Sequence, residues 1–152
     1  MDELRRSLRM MAEDFDLVSA LADYCKVAAG RHRLEVRFSR SGRERLVGPE
    51  SALALFRVLQ ESLTNVAKHC GRGILVDVTL AFGEGQAQLA VQDHGPGFQM
   101  TDTAELSRKG HYGLANMREQ ANKVAGQIRM TSEPGKGTCI ELTVHAGEES
   151  GR

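Results

Sequence analysis

The stretch ESLTNVAKHC, Glu61 to Cys70, closes a run that opens at Gly48-Pro49 and carries the period of an α-helix. Phe56, Leu59, Leu63, Val66 and Cys70 fall on one stripe of that helix, which has to face a core. Glu61, Asn65, Lys68 and His69 stand one or two turns apart on the other side. A carboxylate, an amide, an ammonium and an imidazole so arranged fit a solvated polar flank, and they equally fit one wall of a binding site. Proline at the start, and Gly71 and Gly73 just past His69, delimit the element.

Upstream of this helix, Asp16 is placed to cap another through LVSALADYCKVAA, which Gly30 is expected to stop. RLEVRFS then alternates as a strand, and SGRERLV reads as a turn with a short return strand. Downstream, ILVDVTLAF and QAQLAVQD form a hairpin about GEG. From His94 to Tyr112 the chain is rich in Gly, Pro, Ser, Thr and charge with little periodicity, the mark of a functional lid inside a compact domain. GLANMREQANKVAG returns to helical spacing, and QIRMTSE, PGKG and TCIELTVHA make a closing hairpin.

Helices in the first half and strands in the second predict a two-layer α/β sandwich: a mixed, mostly antiparallel sheet with helices on one face and a long lid. In residues 1–14, Leu4, Leu8 and Met11 have the spacing of a helical seam, so this segment is expected to end a preceding helix or linker. Residues 15–146 are expected to be the folded domain and 147–152 a disordered tail.

Lysine plus arginine equals aspartate plus glutamate at 20 each, so no net field points to nucleic acid or an anionic membrane. Six arginines between Arg31 and Arg45 are interrupted by Glu35 and Glu44, a pattern of a wet hairpin side rather than a phosphate track. Cys25, Cys70 and Cys139 are odd in number and far apart, which argues against a disulfide framework or a zinc site and fits a reducing cytoplasm. No apolar run approaches the roughly 20 residues of a membrane span.

Three glycine clusters punctuate the second half: DHGPGF (93–98), GHYGL (110–114) and PGKGT (134–138). Each reads as a turn or a helix start. Each also reads as backbone that lets N–H groups approach a phosphate, helped by the N-terminal dipole of a helix beginning at GLANM. They match neither a P-loop nor a dinucleotide fingerprint.

Taken in order, ESLTNVAKH, DHGPGF, GHYGLANMREQA and GKGT resemble the ATP-binding catalytic domain of sensor histidine kinases, the GHKL or Bergerat fold. The closest branch is the one paired with regulators of the NarL type. The resemblance spans roughly Leu17 to Val144 and implies roles position by position. Asn65 would hold the magnesium ion that bridges the ATP phosphates, and Glu61 would act as the catalytic group that polarises the acceptor imidazole or an attacking water. Lys68 and His69 would lie near phosphate and nucleotide. Asp93 would accept from the adenine amino group, with Gly95 and Gly97 shaping the turn against the base. Gln99 to Lys109 would be the lid, Gly110, Gly113 and Leu114 the second glycine box, and Gly135, Gly137 and Thr138 the third.

His94 departs from the Asn or Asp common at its position, Gln120 from a frequently basic residue, and Cys70 from the usual alanine. The resemblance further implies a phosphoacceptor histidine on a separate dimerising helical domain, absent before Leu17, and a response regulator downstream. The fragment is expected to be a cytoplasmic monomer without nucleic-acid or direct membrane contact. Two alternatives share the fold: an anti-sigma-factor-like serine kinase, and a nucleotide-binding GHKL module without catalysis.

Overall fold

The computed structural model describes residues 16–100 and 113–148. The N-terminal segment with Leu4, Leu8 and Met11, most of the expected lid, Gly110, and residues 149–152 lie outside them.

Asp16 caps the first helix, α1 (Leu17–His32), accepting from the Ser19 amide at 3.2 Å and the Ser19 hydroxyl at 2.8 Å. Burial pushes the Asp16 carboxyl up, but the bonds from Ser19 win and hold it below its ordinary value. Gly30 does not stop α1 as expected. The helix runs on to His32, and Arg33 takes the left-handed cap position (φ 55°, ψ 48°) with its N–H on the Ala29 carbonyl. An interior glycine costs about 1 kcal/mol of helix propensity. The extra turn delivers Leu34, only 7% exposed, into the core, and that burial stabilises by about 1.5–3 kcal/mol. Burial wins.

Strand β1 (Glu35–Ser41) runs parallel to β2 (Leu75–Gly83), pairing Glu35 with Leu75 through Ser41 with Ala81. The expected return strand in SGRERLV does not form. The chain bends away at Gly42, and only Arg45 keeps a bridge. Leu46 exchanges backbone bonds with Gly147 (2.8 Å) and Glu148 (3.1 Å) instead, and Arg45 donates to the Gly147 carbonyl at 3.0 Å. A β-strand needs a partner for its backbone groups, and for β1 the distant apolar strand β2 outcompetes a charged local return.

Helix α2 (Pro49–Cys70) makes the crossover between these parallel strands, starting after Gly48 and ending at Gly71, whose φ is 88°. Strand β3 (Gln86–Asp93) turns back from β2, and after α3 (Gly113–Lys123) the hairpin of β4 (Gln127–Glu133) and β5 (Gly137–His145) completes the sheet. Its order is β1-β2-β3-β5-β4, with every pair except β1–β2 antiparallel.

All three described helices cover one face. Leu21 and Cys25 of α1, Leu55, Leu59 and Leu63 of α2, and Met117 of α3 are buried against Val76, Val78, Leu80, Leu89 and Leu142 of the sheet. This is the two-layer sandwich expected from the pattern of elements. Leu59→Ala at its centre would cost about 2–5 kcal/mol, since close-packed neighbours cannot collapse fully into the void.

Candidate functional site

The site forms where β3 ends and β5 begins, at the C-terminal end of α2. Asp93 is the last residue of β3 and only 6% exposed; with Ser62 it is one of two polar residues buried among those described. Its Oδ1 accepts from the Gly95 amide at 2.9 Å and the Thr138 amide at 3.2 Å. Oδ2 takes no part in these bonds. Both donors come from the glycine clusters, so two loops far apart in sequence converge on one carboxylate oxygen.

The loops also hold each other. Gly135 donates to the Pro96 carbonyl at 2.7 Å, and the Phe98 amide to Ser132 Oγ at 2.9 Å. Ser132 Oγ donates to the Gly137 carbonyl at 3.2 Å and lies 2.8 Å from Thr138 Oγ1. Two glycines make this docking possible. Gly97 has φ 67° and sits so close to the Glu133 carbonyl that any Cβ would collide with it; Gly137 has φ 75° and meets the Asp93 carbonyl in the same way.

The last turns of α2 supply the facing wall, where Ser62, Asn65, Val66, His69 and Cys70 close a cavity of about 240 Å³. Val91, Met130 and Ile140 line it from the sheet, with Pro96, Gly97 and Phe98 at the loop and Asp93 and Thr138 at its polar end. An apolar slot with a few convergent polar groups is the usual form of a small-molecule site. Beside it, burial and then the Asp93 charge push the Cys70 thiol up to about 11. Burial, then the Glu141 and Asp93 charges, do the same to Cys139, also to about 11.

Asn65, His69, Asp93, Gly97 and Thr138 therefore meet around one cavity, with Gly95 and Gly137 in its supporting loops. Lys68 is exposed and lines neither this cavity nor the next. Glu61 is separated from Asn65. It lines a second cleft, of about 430 Å³, between α1, α2 and α3, where Gly113 packs so closely that a Cβ there would strike the Glu61 carboxylate. Leu114 is buried in the core beside it. His94 turns outward, its Nε2 2.8 Å from Asp77 Oδ2 on the open face of the sheet.

Several residues that line the cavity or tie its loops together escaped sequence reasoning. Ser62 looks like an ordinary helix position, yet it is 3% exposed and donates to Met117 Sδ at 3.6 Å. Ser132 and Met130 belong to a strand whose alternation gave no sign of a ligand. Their role depends on which loops land beside them, which no local pattern records. Among the described residues no helix is long and apolar enough to cross a membrane.

Residues 50–148 match the family described as histidine kinase-, DNA gyrase B- and HSP90-like ATPases. The histidine-protein kinase/phosphatase DegS of Brevibacillus brevis is 30% identical over 146 residues, which cover 93% of this chain and 36% of that protein. The nitrate/nitrite sensor protein NarX of Escherichia coli is 29% identical over 141 residues, covering 93% of this chain and 23% of that one. The chain thus spans about a quarter to a third of the length of these relatives. Among solved structures, full-length ShkA in complex with AMPPNP superposes with a TM-score of 0.69 at 19% identity, over 88% of this chain and 30% of that one. At that identity the likeness speaks for the fold.

Proposed function

The chain belongs to the family of histidine kinase-, DNA gyrase B- and HSP90-like ATPases, as the ATP-binding catalytic domain of the sensor histidine kinase type, and we propose that it passes the γ-phosphoryl group of ATP to a histidine. The acceptor would sit on a separate dimerising helical domain, and a response regulator would receive the group next. The domain itself would occupy residues 15–146.

The observation that carries this reading is the Asp93 carboxylate, buried at the polar end of an apolar slot with one oxygen outside the backbone bonds that position it. An ionised carboxylate only accepts, so it selects a ring edge that donates, such as the adenine amino group. Guanine would place a carbonyl oxygen there, and a buried acceptor facing an acceptor is costly. Val66, Met130 and Ile140 would pack on the faces of the base.

Asn65, on the wall of the same cavity, offers a neutral hard oxygen suited to magnesium. No three His, Cys, Asp or Glu side chains gather to cage a metal among the described residues, so the ion would take its other ligands from phosphate and water. Bound there, it would neutralise charge on the phosphates. In the transfer, the bond between the γ-phosphorus and the β–γ bridging oxygen breaks, a P–N bond forms at the imidazole, and ADP leaves with the electron pair. Glu61 would accept the proton from the imidazole, whose approach through the second cleft keeps the base apart from the metal ligand.

Calorimetry with ATP and with GTP in magnesium tests the reading. ATP should bind at least about tenfold more tightly; equal affinities would remove Asp93 from this role. Labelled ATP should leave the chain alone unlabelled on histidine and transfer label to an added histidine-bearing helical domain. Acid-labile label on the isolated chain would contradict the assignment of the acceptor to another domain.

A further inference from the structure

The Asp93 loops are also held from the far face of the sheet. Side chains alternate along β3, so Asp93 turns under the helices while Gln92 beside it projects onto the open face. The ladder between β3 and β5 ends at the pair Gln92–Cys139, one residue short of Asp93. Past that point the Gln92 side chain takes over. Its Nε2 donates to the Asp93 carbonyl at 2.7 Å and reaches the Thr138 carbonyl at 3.4 Å and the Lys136 carbonyl at 3.5 Å. Three acceptors around one atom also fix the orientation of the amide, because only its nitrogen end can donate.

The carbonyls that Gln92 gathers belong to the residues that set the carboxylate. Thr138 turns its carbonyl to Gln92 and donates its own amide to Asp93 Oδ1 at 3.2 Å. Between Lys136 and Thr138 lies Gly137, which approaches the Asp93 carbonyl so closely that no Cβ fits. Carbonyl oxygens aimed at one spot repel unless a donor occupies it, and an acceptor left without a partner there is costly. Gln92 supplies that donor without lining the cavity itself.

We propose that Gln92 is a positioning residue for the nucleotide: from the opposite face of the sheet, its amide locks the Asp93 and Thr138 loops in the one relation that aims the Asp93 carboxylate at the base. The proposal rests on the ATP reading above and adds to it a residue that touches neither the cavity nor the reacting atoms. What the site requires at that point is a donor. Leucine keeps about the same volume and lacks one. Glutamate keeps the shape and only accepts until it is protonated. Facing three carbonyls, its charged form is disfavoured and its pKa rises, so a glutamate there repels as a base and donates as an acid.

Calorimetry with ATP and magnesium, run from about pH 8 down to about pH 5, compares Gln92→Leu and Gln92→Glu with the unaltered chain at each pH. Referring each variant to the unaltered chain cancels the titration of ATP and of Asp93. Gln92→Leu should bind at least about threefold more weakly at every pH, the worth of a neutral hydrogen bond. Gln92→Glu should bind more weakly than Gln92→Leu at the basic end and more tightly at the acid end, where its carboxyl regains a donor. A smaller loss in Gln92→Leu would overturn the proposal, as would a ratio between the two variants that stays flat with pH. If a variant fails to fold, hydrogen exchange of the Gln92 side-chain amide in the unaltered, ¹⁵N-labelled chain gives the test. Those protons should exchange more slowly than in an exposed glutamine, and more slowly still with ATP; exchange at the exposed rate would overturn the proposal. An unaltered chain that binds no ATP would overturn the nucleotide reading beneath it, and the two failures are read separately.

Discussion

Asp93 and Asp77 sit on neighbouring strands, β3 and β2, and do opposite things. Asp93 pairs with Val76 and Asp77 with Gln92, an offset of one residue. Side chains alternate across a sheet, so that single step sends one carboxylate under the helices and the other onto the open face. Asp93 is held by backbone amides in an apolar slot. Asp77 is about one third exposed and spends both oxygens on side chains, Oδ1 with Arg37 Nε at 2.8 Å and Oδ2 with Arg37 Nη2 at 3.2 Å and His94 Nε2 at 2.8 Å. A carboxylate becomes a recognition group when rigid backbone positions it and no cation consumes it. Asp77, neutralised by its neighbours, is a surface pair of small energetic weight.

The sharpest way to break this contrast leaves both carboxylates in place. Gly137→Ala forces a side chain into the left-handed region and against the Asp93 carbonyl, at a cost of at least about 1–3 kcal/mol in strain alone. The urea midpoint should fall, and ATP binding in calorimetry should be lost; a fully stable variant with unchanged affinity would show that Asp93 tolerates displacement. Next in size, Asp93→Asn should weaken ATP binding by roughly 10–100-fold, the worth of a charge-assisted bond. Asp77→Asn should change it by less than about twofold. Comparable losses from the two substitutions would erase the distinction.

A smaller effect separates the two walls of α2. Asn65→Ala should weaken ATP binding in magnesium by several-fold and much less in chelator, because it removes the proposed metal ligand. Glu61→Gln should leave affinity within about twofold and slow transfer to an added acceptor domain, since Glu61 lies outside the Asp93 cavity. Reversed outcomes would exchange the roles.

The smallest effect concerns pH. The Arg37 guanidinium, then His94, holds the Asp77 carboxyl below its ordinary value. A depressed folded value means that the associated stability is present above the unfolded-state pKa and fades as pH falls through the folded one. Asp77 should therefore titrate by NMR below the ordinary carboxylate range. The stability it contributes, slight because Arg37 is exposed, should be present at neutral pH and lost only as acid protonates Asp77. A midpoint at or above the ordinary value would contradict the pairing.

The elements readable in advance were those whose signal is local. Pro49 and Gly71 bracket α2, GEG joins β2 to β3, and QIRMTSE carries the alternation of β4. What stayed hidden depended on distant parts of the chain. The partner of β1 is chosen by β2, some forty positions on. Arg33 rather than Gly30 ends α1 because Leu34 has a core to enter. Asn65 and Glu61 share one polar flank on a helical wheel, and only the landing of α3 on Glu61 divides that flank into two sites. The same holds for Gln92, whose amide meets its three carbonyl oxygens only once the two glycine loops have docked.

The backbone bonds between Leu46 and residues 147 and 148 have a practical consequence. Helix α2 and strand β5 both run the length of the domain, about 30 Å, and both have their cavity end opposite this junction. Helix α1 likewise begins far from its cleft-lining end at Arg31 and His32. Asp16 and Glu148, the two extremes of the described chain, thus lie at the pole away from the Asp93 cavity. A biotin or dye attached at either residue would act as a handle that leaves both the cavity and the Glu61 cleft open, so the domain can be anchored to a sensor surface from that pole and still be offered ATP and acceptor in turn.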